Sequence, residues 1–529
     1  MTGLRGEAMI TSLLALIQHY YDLGYDDYWL PALVKRSAPG SPIGRVKNGD
    51  VLVFACRRGE REIQLTEAFV DPNFGHFQRK YLPDLCFFSM IEYHSKFKQY
   101  PALFPTLKPP APLGEVLADH GLSQLRIAES EKITHVTYYF NGRREKPHPR
   151  EEWISIPSIK EDVHRYPQMR TVQIAETLIA NLHRKDHSFA LANFAAGDIF
   201  GHFPDFEAQV ECVEAIDHAV GMISDYCCAS GYCLIITADH GLLEQAFLTD
   251  GSWSLGHTQA CVPFVLADPT ALSRVVSLAP HGSLADVAPT VLHLLGIEPP
   301  GSMTGRPLIR PYITSAKGVV LLILDGFGLG EADPRINPIY AAKTPNIDGL
   351  FSQFPHTRLD ASGNAVGLAP HSSGNSETGH LTLGAGRVVI QDEVRIPASI
   401  TPGQLIQNQF FYDKIKHLKP NQAIHVLFLM SPGSSHGSIE EAVKLLAVLK
   451  EWGAQTVYLH AISDGRSAPR WGAITLLPQL QHALDQLGIG EIVTVCGRGY
   501  MLDRSGYYQE RTKPAYEALV GGKGIFWHE

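Results

Sequence analysis

The sequence predicts an α/β fold built on a parallel β-sheet. Between residues 198 and 309, short apolar runs alternate with stretches of helical spacing. Helical spacing over 208–226 precedes an apolar run at 233–237, and the apolar run 263–266 precedes a helix predicted over 283–295. Strands that alternate with helices are typical of parallel sheets, in which ligands gather at the carboxyl ends of the strands.

Candidate ligands follow two of the predicted strands. Asp239 and His240 come after the run 234–236, and Asp325 follows the run 319–324. Polar groups at the end of a buried strand are costly unless something binds them. The alternatives are a capping role for Asp239 and a simple turn at Asp325-Gly326.

Two proline-rich or irregular stretches mark the expected domain boundaries, at 101–112 and at about 395–404. They predict a first segment over 1–100, a metal-site domain over 101–398 and a last segment over 399–529. The two outer segments have strand and helix patterns of their own and hold most of the clustered arginines.

The composition restricts the class of protein. With 529 residues, 45% of them hydrophobic, the chain can bury more than one core, and a net charge of -9 gives no sign of a nucleic-acid-binding surface. The apolar run 10–17 is too short to span a bilayer and predicts the buried face of a helix. Eight cysteines without a CxxC motif indicate reduced thiols. We therefore expect a cytoplasmic protein, monomeric, without nucleic-acid or membrane partners.

Five short segments carry acidic, histidine or hydroxyl side chains: 198–202, 237–241, 256–258, 324–326 and 374–377. Each is weak evidence alone. A pair such as Asp198 and His202, four residues apart, has roughly one chance in ten of being a metal site, and Ser376 before Glu377 is typical of a helix cap. Together they supply hard ligands for two divalent ions and a hydroxyl nucleophile. Since none of them is a thiol, the set favours manganese, zinc or magnesium.

These segments and their neighbours resemble the 2,3-bisphosphoglycerate-independent phosphoglycerate mutase family of the alkaline phosphatase superfamily, with its parts in a different order. Residues 319–396 resemble the start of the family, through the motifs at 324–328, 344–348 and 374–380. Residues 401–523 resemble its next part, through 435–436, 460–466 and 497–504, and residues 6–310 resemble the remainder, through 124–132 and 303–305. We therefore expect a circular permutant whose family ends are joined through 311–318.

The resemblance implies an alkaline-phosphatase-like parallel-sheet domain, and a second α/β transferase-like domain that is split between the two chain ends. It makes Ser376 the nucleophile and a ligand of one ion, together with Asp325, Asp239 and His240. The second ion falls to Asp198, His202 and His257. We expect manganese at both positions, with zinc or magnesium as the alternatives.

The resemblance also assigns the substrate contacts. The glycerate carboxylate and the phosphate fall to five arginines: Arg58, Arg61, Arg466, Arg498 and Arg504. Lys132 is expected beside the phosphoryl group, where it would offset developing charge. His436 is expected to be the acid or base for the substrate hydroxyl.

Three departures from the family concern the transferase-like part. Ser467 stands where the family usually has an acidic residue, and Ser431-Pro432-Gly433 replaces its Ser-Asp-Gly. The family's Asn-Phe-Arg-Pro-Asp-Arg is altered to the run 56–61, which keeps the two outer arginines. The metal centre is therefore better supported than the identity of the substrate.

The sequence thus predicts an isomerase that interconverts 3-phosphoglycerate and 2-phosphoglycerate through a phosphoserine. The first alternative is a metal-dependent phosphomonoesterase, or a mutase for another phosphorylated small molecule. The second is a catalytically silent metabolite-binding protein, against which the complete ligand set argues.

Overall fold

The computed structural model of the chain describes residues 2–37, 40–268, 277–309 and 316–528. It divides into two compact units: unit 1 comprises Met1–Leu107 and Arg395–Glu529, and unit 2 comprises Lys108–Val394. The predicted joining segment 311–318 lies mostly outside the described residues. Helices and strands are numbered below in chain order.

Unit 1 is built on a seven-stranded sheet. In spatial order its strands are β15 (Ile525–His528), β1 (Leu33–Arg36), β14 (Glu491–Gly497), β13 (Val457–Ser463), β12 (Ile424–Met430), β2 (Val51–Phe54) and β3 (Cys86–Ser89). The five strands from β14 to β3 are parallel, whereas β1 pairs with β14 antiparallel. The central strands β12 and β2 are buried along their whole length, as strands covered on both faces must be.

The helices of unit 1 are α1 (Thr2–Asp22), α2 (Ile63–Val70), α12 (Pro402–Leu405), α13 (Gln409–Lys416), α14 (Ile439–Glu451), α15 (Ala473–Leu487), α16 (Arg498–Met501) and α17 (Lys513–Tyr516). The prediction that the run 10–17 is the buried face of a helix is confirmed, because Leu13 and Ile17 are buried in the core. Among the described residues, no helix is both long and apolar enough to cross a membrane.

Unit 2 contains an eight-stranded sheet. Its strands, in spatial order, are β5 (Glu151–Ile156), β4 (Gln124–Glu129), β6 (Phe189–Phe194), β10 (Val319–Leu324), β7 (Cys233–Thr237), β8 (Val262–Ala267), β11 (His356–Asp360) and β9 (Gly282–Ser283). The first five are parallel, and β8 is antiparallel to both of its neighbours. The predicted α/β class is confirmed, with a mixed rather than a purely parallel sheet in unit 2.

The helices of unit 2 are α3 (Leu113–Asp119), α4 (Thr171–Arg184), α5 (Ala196–Gly201), α6 (Phe206–Ser230), α7 (Val287–Leu294), α8 (Pro338–Ala341), α9 (Pro345–Gln353) and α10 (Ser376–Ala385). The chain leaves unit 2 within α11 (Asp392–Ser399). The helix predicted over 283–295 begins only at Val287, because Ser283 and Asp286 form a capping box around a preceding 3₁₀ turn.

Candidate active site

The parallel strands of unit 2 bring most of the candidate ligands to one edge. Each of four strands is followed by at least one candidate: Lys132 after β4, Asp198 and His202 after β6, Asp239 and His240 after β7, and Asp325 after β10. Ser376 is the first residue of α10, whose N-cap is Asn375. Because β4, β6, β10 and β7 run in the same direction, their carboxyl ends meet at that edge.

Two groups of side chains at this edge have the spacing of metal ligands. One group is Asp239, His240 and Asp325, and the other is Asp198, His240 and His257; within each group, one ligand atom per residue lies within 4.8 Å of the others. His240 thus belongs to both groups. The structure places His202 beside the second group, with Nε2 3.2 Å from Nε2 of His257 and 3.5 Å from the Asp198 carboxylate.

Two carboxylate oxygens in these groups have only histidine nitrogens beside them, the nearest 3.2 Å away in each case. Oδ1 of Asp198 and Oδ2 of Asp239 are buried, and neither accepts a hydrogen bond of good geometry from the described residues. Buried acceptors without a donor are rare and costly, and a bound cation removes that cost. The residues present therefore fit divalent metal ions, which prefer carboxylate and imidazole ligands.

Lys132 lies at the centre of the cluster, next to Ser376. Its buried Nζ donates to Asp198 at 2.7 Å, to Asp325 at 2.8 Å and to Oγ of Ser376 at 2.6 Å. The same serine oxygen lies 3.1 Å from both His240 Nε2 and Asp325 Oδ1. The hydroxyl of Ser376 is therefore held by side chains of both charge types, at the amino end of a helix.

The charges at this edge strengthen one another. Burial acts to raise the pKa of Asp198 and of Asp325, but close contacts with histidines and the charge of Lys132 outweigh it, so that both pKa values lie well below the usual range. Burial acts to lower the pKa of Lys132 and of His240. The neighbouring carboxylates outweigh this effect, so that the pKa of Lys132 is raised and that of His240 is raised to about 9. The carboxylates therefore remain charged and able to bind cations.

Two glycines allow the backbone to approach this closely. Gly326 has a φ of +76°, and a Cβ there would lie 3.0 Å from the backbone of Asp198. A Cβ on Gly379 would lie 2.4 Å from the carbonyl oxygen of Asp239. Both positions exclude larger residues because the neighbouring atoms belong to the backbone.

Sequence reasoning assigned no role to Asn193 or His380, which contact the carboxylates of this cluster. Nδ2 of Asn193 donates to Asp325 at 2.7 Å and lies 3.1 Å from Nε2 of His380. On its other side, Nδ1 of His380 lies 2.9 Å from the Ser376 carbonyl oxygen and 3.2 Å from Asp239. Both side chains are fully buried. The available signal was the motif 374–380, which ends in this histidine.

In unit 1 the arginines predicted to bind substrate also follow parallel strands. Arg58 and Arg61 follow β2, Arg466 follows β13, and Arg498 and Arg504 follow β14. Three of them have acidic partners. Arg498 is buried and pairs with Asp464 at 2.5 Å, whereas Arg58 and Arg504 share Glu60.

The two remaining arginines differ in exposure. Arg61 is buried and lies 3.5 Å from the carbonyl oxygen of Leu502. Arg466 is exposed and makes no ion pair or hydrogen bond to the described residues. This edge therefore retains positive charge that suits an anion.

His436 lies in the loop 431–437. This loop is held in place by Arg57, which belongs to the run 56–61 that departs from the family pattern. Arg57 donates through its backbone to the carbonyl oxygen of His436 at 2.9 Å and through Nη2 to that of Ser434 at 2.7 Å, and its Nε pairs with Glu441 at 2.9 Å. Ser467 lies 3.3 Å from the Ser434 hydroxyl. The altered residues thus form one connected network around His436.

Comparison with known families agrees with this arrangement. Residues 40–299 match the family described as the Metalloenzyme superfamily, and residues 396–528 match the one described as the BPG-independent PGAM N-terminus. Fold, ligand groups and matches together define an α/β metalloenzyme that binds divalent metal. The predicted resemblance to the 2,3-bisphosphoglycerate-independent phosphoglycerate mutase family is confirmed. The match to the family's N-terminal part, at 396–528, follows the metalloenzyme match, at 40–299, along this chain. This is the order that the predicted permutation requires.

Relatives of this name match over part of their length. The 2,3-bisphosphoglycerate-independent phosphoglycerate mutase of Nitrosococcus oceani is 38% identical over 293 residues, covering 55% of this chain and 56% of that protein. Its counterpart in Pseudomonas aeruginosa strain PAO1 is 37% identical over 309 residues, covering 58% and 59%. A crystal structure of Leishmania mexicana phosphoglycerate mutase at low cobalt concentration is 28% identical, with a TM-score of 0.42 and coverage of 51% and 52%. The chain spans a little over half the length of the curated relatives it matches.

Proposed function

We propose that this protein interconverts 3-phosphoglycerate and 2-phosphoglycerate through a phosphoserine at Ser376, without added 2,3-bisphosphoglycerate. The observation that carries the proposal is the position of Ser376 Oγ, which lies within hydrogen-bonding distance of Lys132, His240 and Asp325 beside both ligand groups. The names of the relatives supply the substrate class.

The proposed metal ligands are the seven that the resemblance implied. Asp239, His240, Asp325 and Ser376 would hold one divalent ion, and Asp198, His202 and His257 the other; manganese is the proposed metal, with zinc or magnesium as alternatives. When bound, such ions lower the pKa of a hydroxyl and offset phosphoryl charge. Lys132 adds a fixed positive charge beside the serine oxygen.

The protein's own groups supply the remaining functions. The backbone N–H groups at the amino end of α10, where that of Thr378 already donates to the Asn375 side chain, suit the oxygens of a phosphoryl group on Ser376. The five arginines of unit 1 would hold the carboxylate and phosphate of the substrate, because the planar guanidinium fork matches both anions. His436 would exchange the proton of the glycerate hydroxyl. Retention of glycerate is what distinguishes a mutase from a phosphatase in this scheme.

A phosphomonoesterase is the second candidate, and the contacts of Ser467 favour it. This side chain lies in the network around His436, where it offers a neutral hydroxyl instead of the acidic group usual in the family. Weaker retention of glycerate would expose the phosphoserine to water. We further propose a cytoplasmic monomer, consistent with the eight free cysteines.

The test is a phosphorus NMR time course of the manganese-loaded protein with 3-phosphoglycerate. Appearance of 2-phosphoglycerate supports the mutase, and inorganic phosphate alone supports the phosphatase. Ser376→Ala is expected to abolish either reaction while metal stays bound. Ser373→Ala, in the same loop, is the matched control and should retain activity. Full activity of Ser376→Ala would exclude the phosphoserine.

A further inference from the structure

Glu62 and His436 form a buried pair in unit 1. Oε1 of Glu62 lies 2.8 Å from Nδ1 of His436, and the two side chains are 0% and 3% exposed. The other carboxylate oxygen, Oε2, accepts the backbone N–H of Arg61 at 3.0 Å. Both residues belong to unit 1, whereas the candidate metal ligands belong to unit 2.

The imidazole is the main compensation for this buried carboxylate. No lysine or arginine in the described ranges lies within ion-pairing distance of Glu62, and His436 is the basic side chain that contacts it there. A carboxylate removed from water without a strong donor is expensive, which makes the contact with the ring important. Glu62 is therefore held against His436 both by the backbone N–H of Arg61 and by its own charge.

This contact determines which ring nitrogen carries the proton. A carboxylate accepts hydrogen bonds, so Nδ1 of His436 must be the N–H donor. Nε2 is then left with its lone pair, and it makes no hydrogen bond to the parts of the chain that are described. The backbone of the same loop is fixed by Arg57. The ring is thus held in one tautomer and one orientation.

We propose that Glu62 is a positioning residue for proton transfer by His436. This inference rests on the proposed mutase function. As the glycerate hydroxyl oxygen bonds to the phosphorus of the phosphoserine, its proton passes to Nε2, and the Ser376 Oγ–P bond breaks with its electron pair on Oγ. Glu62 stabilises the imidazolium that results, and the reverse reaction returns the proton. Ser467, which stands where the family usually has an acidic residue, carries no charge. Within the described network, the carboxylate that contacts the His436 ring is that of Glu62.

A second carboxylate–imidazole pair in unit 1 provides a matched control. Oδ2 of Asp50 lies 3.1 Å from Nε2 of His425, and both side chains are buried. Asp50 precedes β2 and His425 is near the start of β12, so this pair lies at the amino ends of the strands. His436, by contrast, follows the carboxyl end of β12. Asp50→Asn makes the same chemical change away from the substrate-binding edge.

The experiment compares wild type, Glu62→Gln and Asp50→Asn, each first shown by a thermal melt to be folded. The tautomer of His436 is read from ¹⁵N-histidine NMR without substrate, with His436→Asn to assign the signal. Steady-state kinetics with 3-phosphoglycerate give kcat and KM. We expect Glu62→Gln to depopulate the Nδ1–H tautomer and to lower kcat by about 10²-fold or more, with KM changed by less than about threefold. Asp50→Asn should leave both constants and the tautomer of His436 unchanged.

Three results would overturn the proposal: a wild-type His436 in the Nε2–H tautomer, an unchanged kcat in Glu62→Gln, or an equal loss of kcat in both variants, which would indicate a general structural effect. If the wild-type protein has no mutase activity, the proposed function fails. The NMR comparison still decides whether Glu62 sets the tautomer, because it requires no turnover. The two failures are therefore distinguishable.

Discussion

The carboxyl ends of the parallel strands carry opposite charges in the two units. In unit 2 this edge presents three buried aspartates around one lysine, and two of their carboxylate oxygens accept no hydrogen bond of good geometry from the described residues. In unit 1 the equivalent edge presents five arginines, one of which, Arg466, is exposed and has no ion-pairing partner among the described residues. The scaffold gathers side chains in the same way in both cases. Charge and burial then determine that one edge suits cations and the other suits anions.

The edges also differ in how their charges are balanced. Asp325 and Asp198 are surrounded by donors that lower their pKa values against the effect of burial. The arginines of unit 1 are partly neutralised by local carboxylates, such as Glu60 and Asp464, which a substrate anion would have to displace under the proposed function. This difference favours a preformed cation site in unit 2 and an adaptable anion site in unit 1.

Removing one proposed metal ligand should have the largest effect. Asp239→Asn removes a charge from the group Asp239, His240 and Asp325, and we expect affinity for manganese to fall by at least about 100-fold, since even residues that only support a ligand cost 10–100-fold. Calorimetric titration of the chelator-treated protein measures this. Asp333→Asn changes a carboxylate of unit 2 that pairs with the exposed Arg335, and should bind manganese as wild type does. Unchanged affinity in Asp239→Asn would contradict the metal assignment.

Comparing Arg498→Ala with Arg466→Ala distinguishes arginines of unit 1 that stabilise the fold from those that contribute only to anion binding. Arg498 is buried against Asp464, so its removal leaves a buried charge and should lower the free energy of unfolding by about 3–5 kcal/mol. Arg466 is exposed, and its removal should change stability by no more than about 0.5 kcal/mol. Both should raise KM for 3-phosphoglycerate. Urea unfolding and steady-state kinetics measure the two effects, and a normal KM in Arg466→Ala would remove that residue from the anion site.

Residues directly after a buried strand were predictable from sequence, because the apolar runs 233–237 and 319–324 show where the chain reaches the edge. Asp239, His240 and Asp325 belong to this class. Asn193 and His380 do not: their roles arise from contacts with Asp325 and Asp239 that are distant along the chain. An isolated buried asparagine carries no pattern of its own. The roles assigned to the ligands and arginines remain predictions.

The altered run 56–61 shows the same limit in unit 1. Sequence comparison identified it as a departure, and the structure gives Arg57 a partner in Glu441 and places Glu62, just beyond it, against His436. Neither pairing follows from spacing, since about 380 residues separate the partners: |i−j| is 384 and 374. Pairings between the two chain segments of unit 1 depend on the order of the strands in the sheet.

The close packing of the cation edge can be tested at Gly379. Alanine normally favours a helix over glycine by about 1 kcal/mol, but a Cβ at this position would lie 2.4 Å from the carbonyl oxygen of Asp239. We therefore expect Gly379→Ala to destabilise unit 2 by about 1–3 kcal/mol and to weaken manganese binding. Gly349→Ala, in α9, meets no atom nearer than 3.7 Å and should be neutral or stabilising. Thermal melts with and without manganese compare the two; equal stability would show that α10 can move.

The comparison is sharpened by Asp27, a buried carboxylate of unit 1 that has no cation beside it among the described residues. It accepts hydrogen bonds from Tyr21 and from the backbone N–H of Ala473, yet burial outweighs them and raises its pKa from 3.8 to about 6. The folded state therefore binds this proton more tightly than the unfolded state does. The resulting stability is present below about pH 4 and is lost as the pH rises through about 6.

Asp27→Asn removes this titration and keeps the shape of the side chain. Between about pH 4.5 and pH 7, wild type should lose about 1–2 kcal/mol of unfolding free energy relative to the variant, as measured by urea unfolding followed by tryptophan fluorescence. Asp22→Asn, which removes an exposed carboxylate at the end of α1, is the matched control. Asp325 has the opposite shift because Lys132 and His240 surround it. If the unfolding free energy of Asp27→Asn had the same pH dependence as that of wild type, the pKa of Asp27 would not be raised. Burial without neighbouring cations would then not be enough to raise the pKa of this carboxylate.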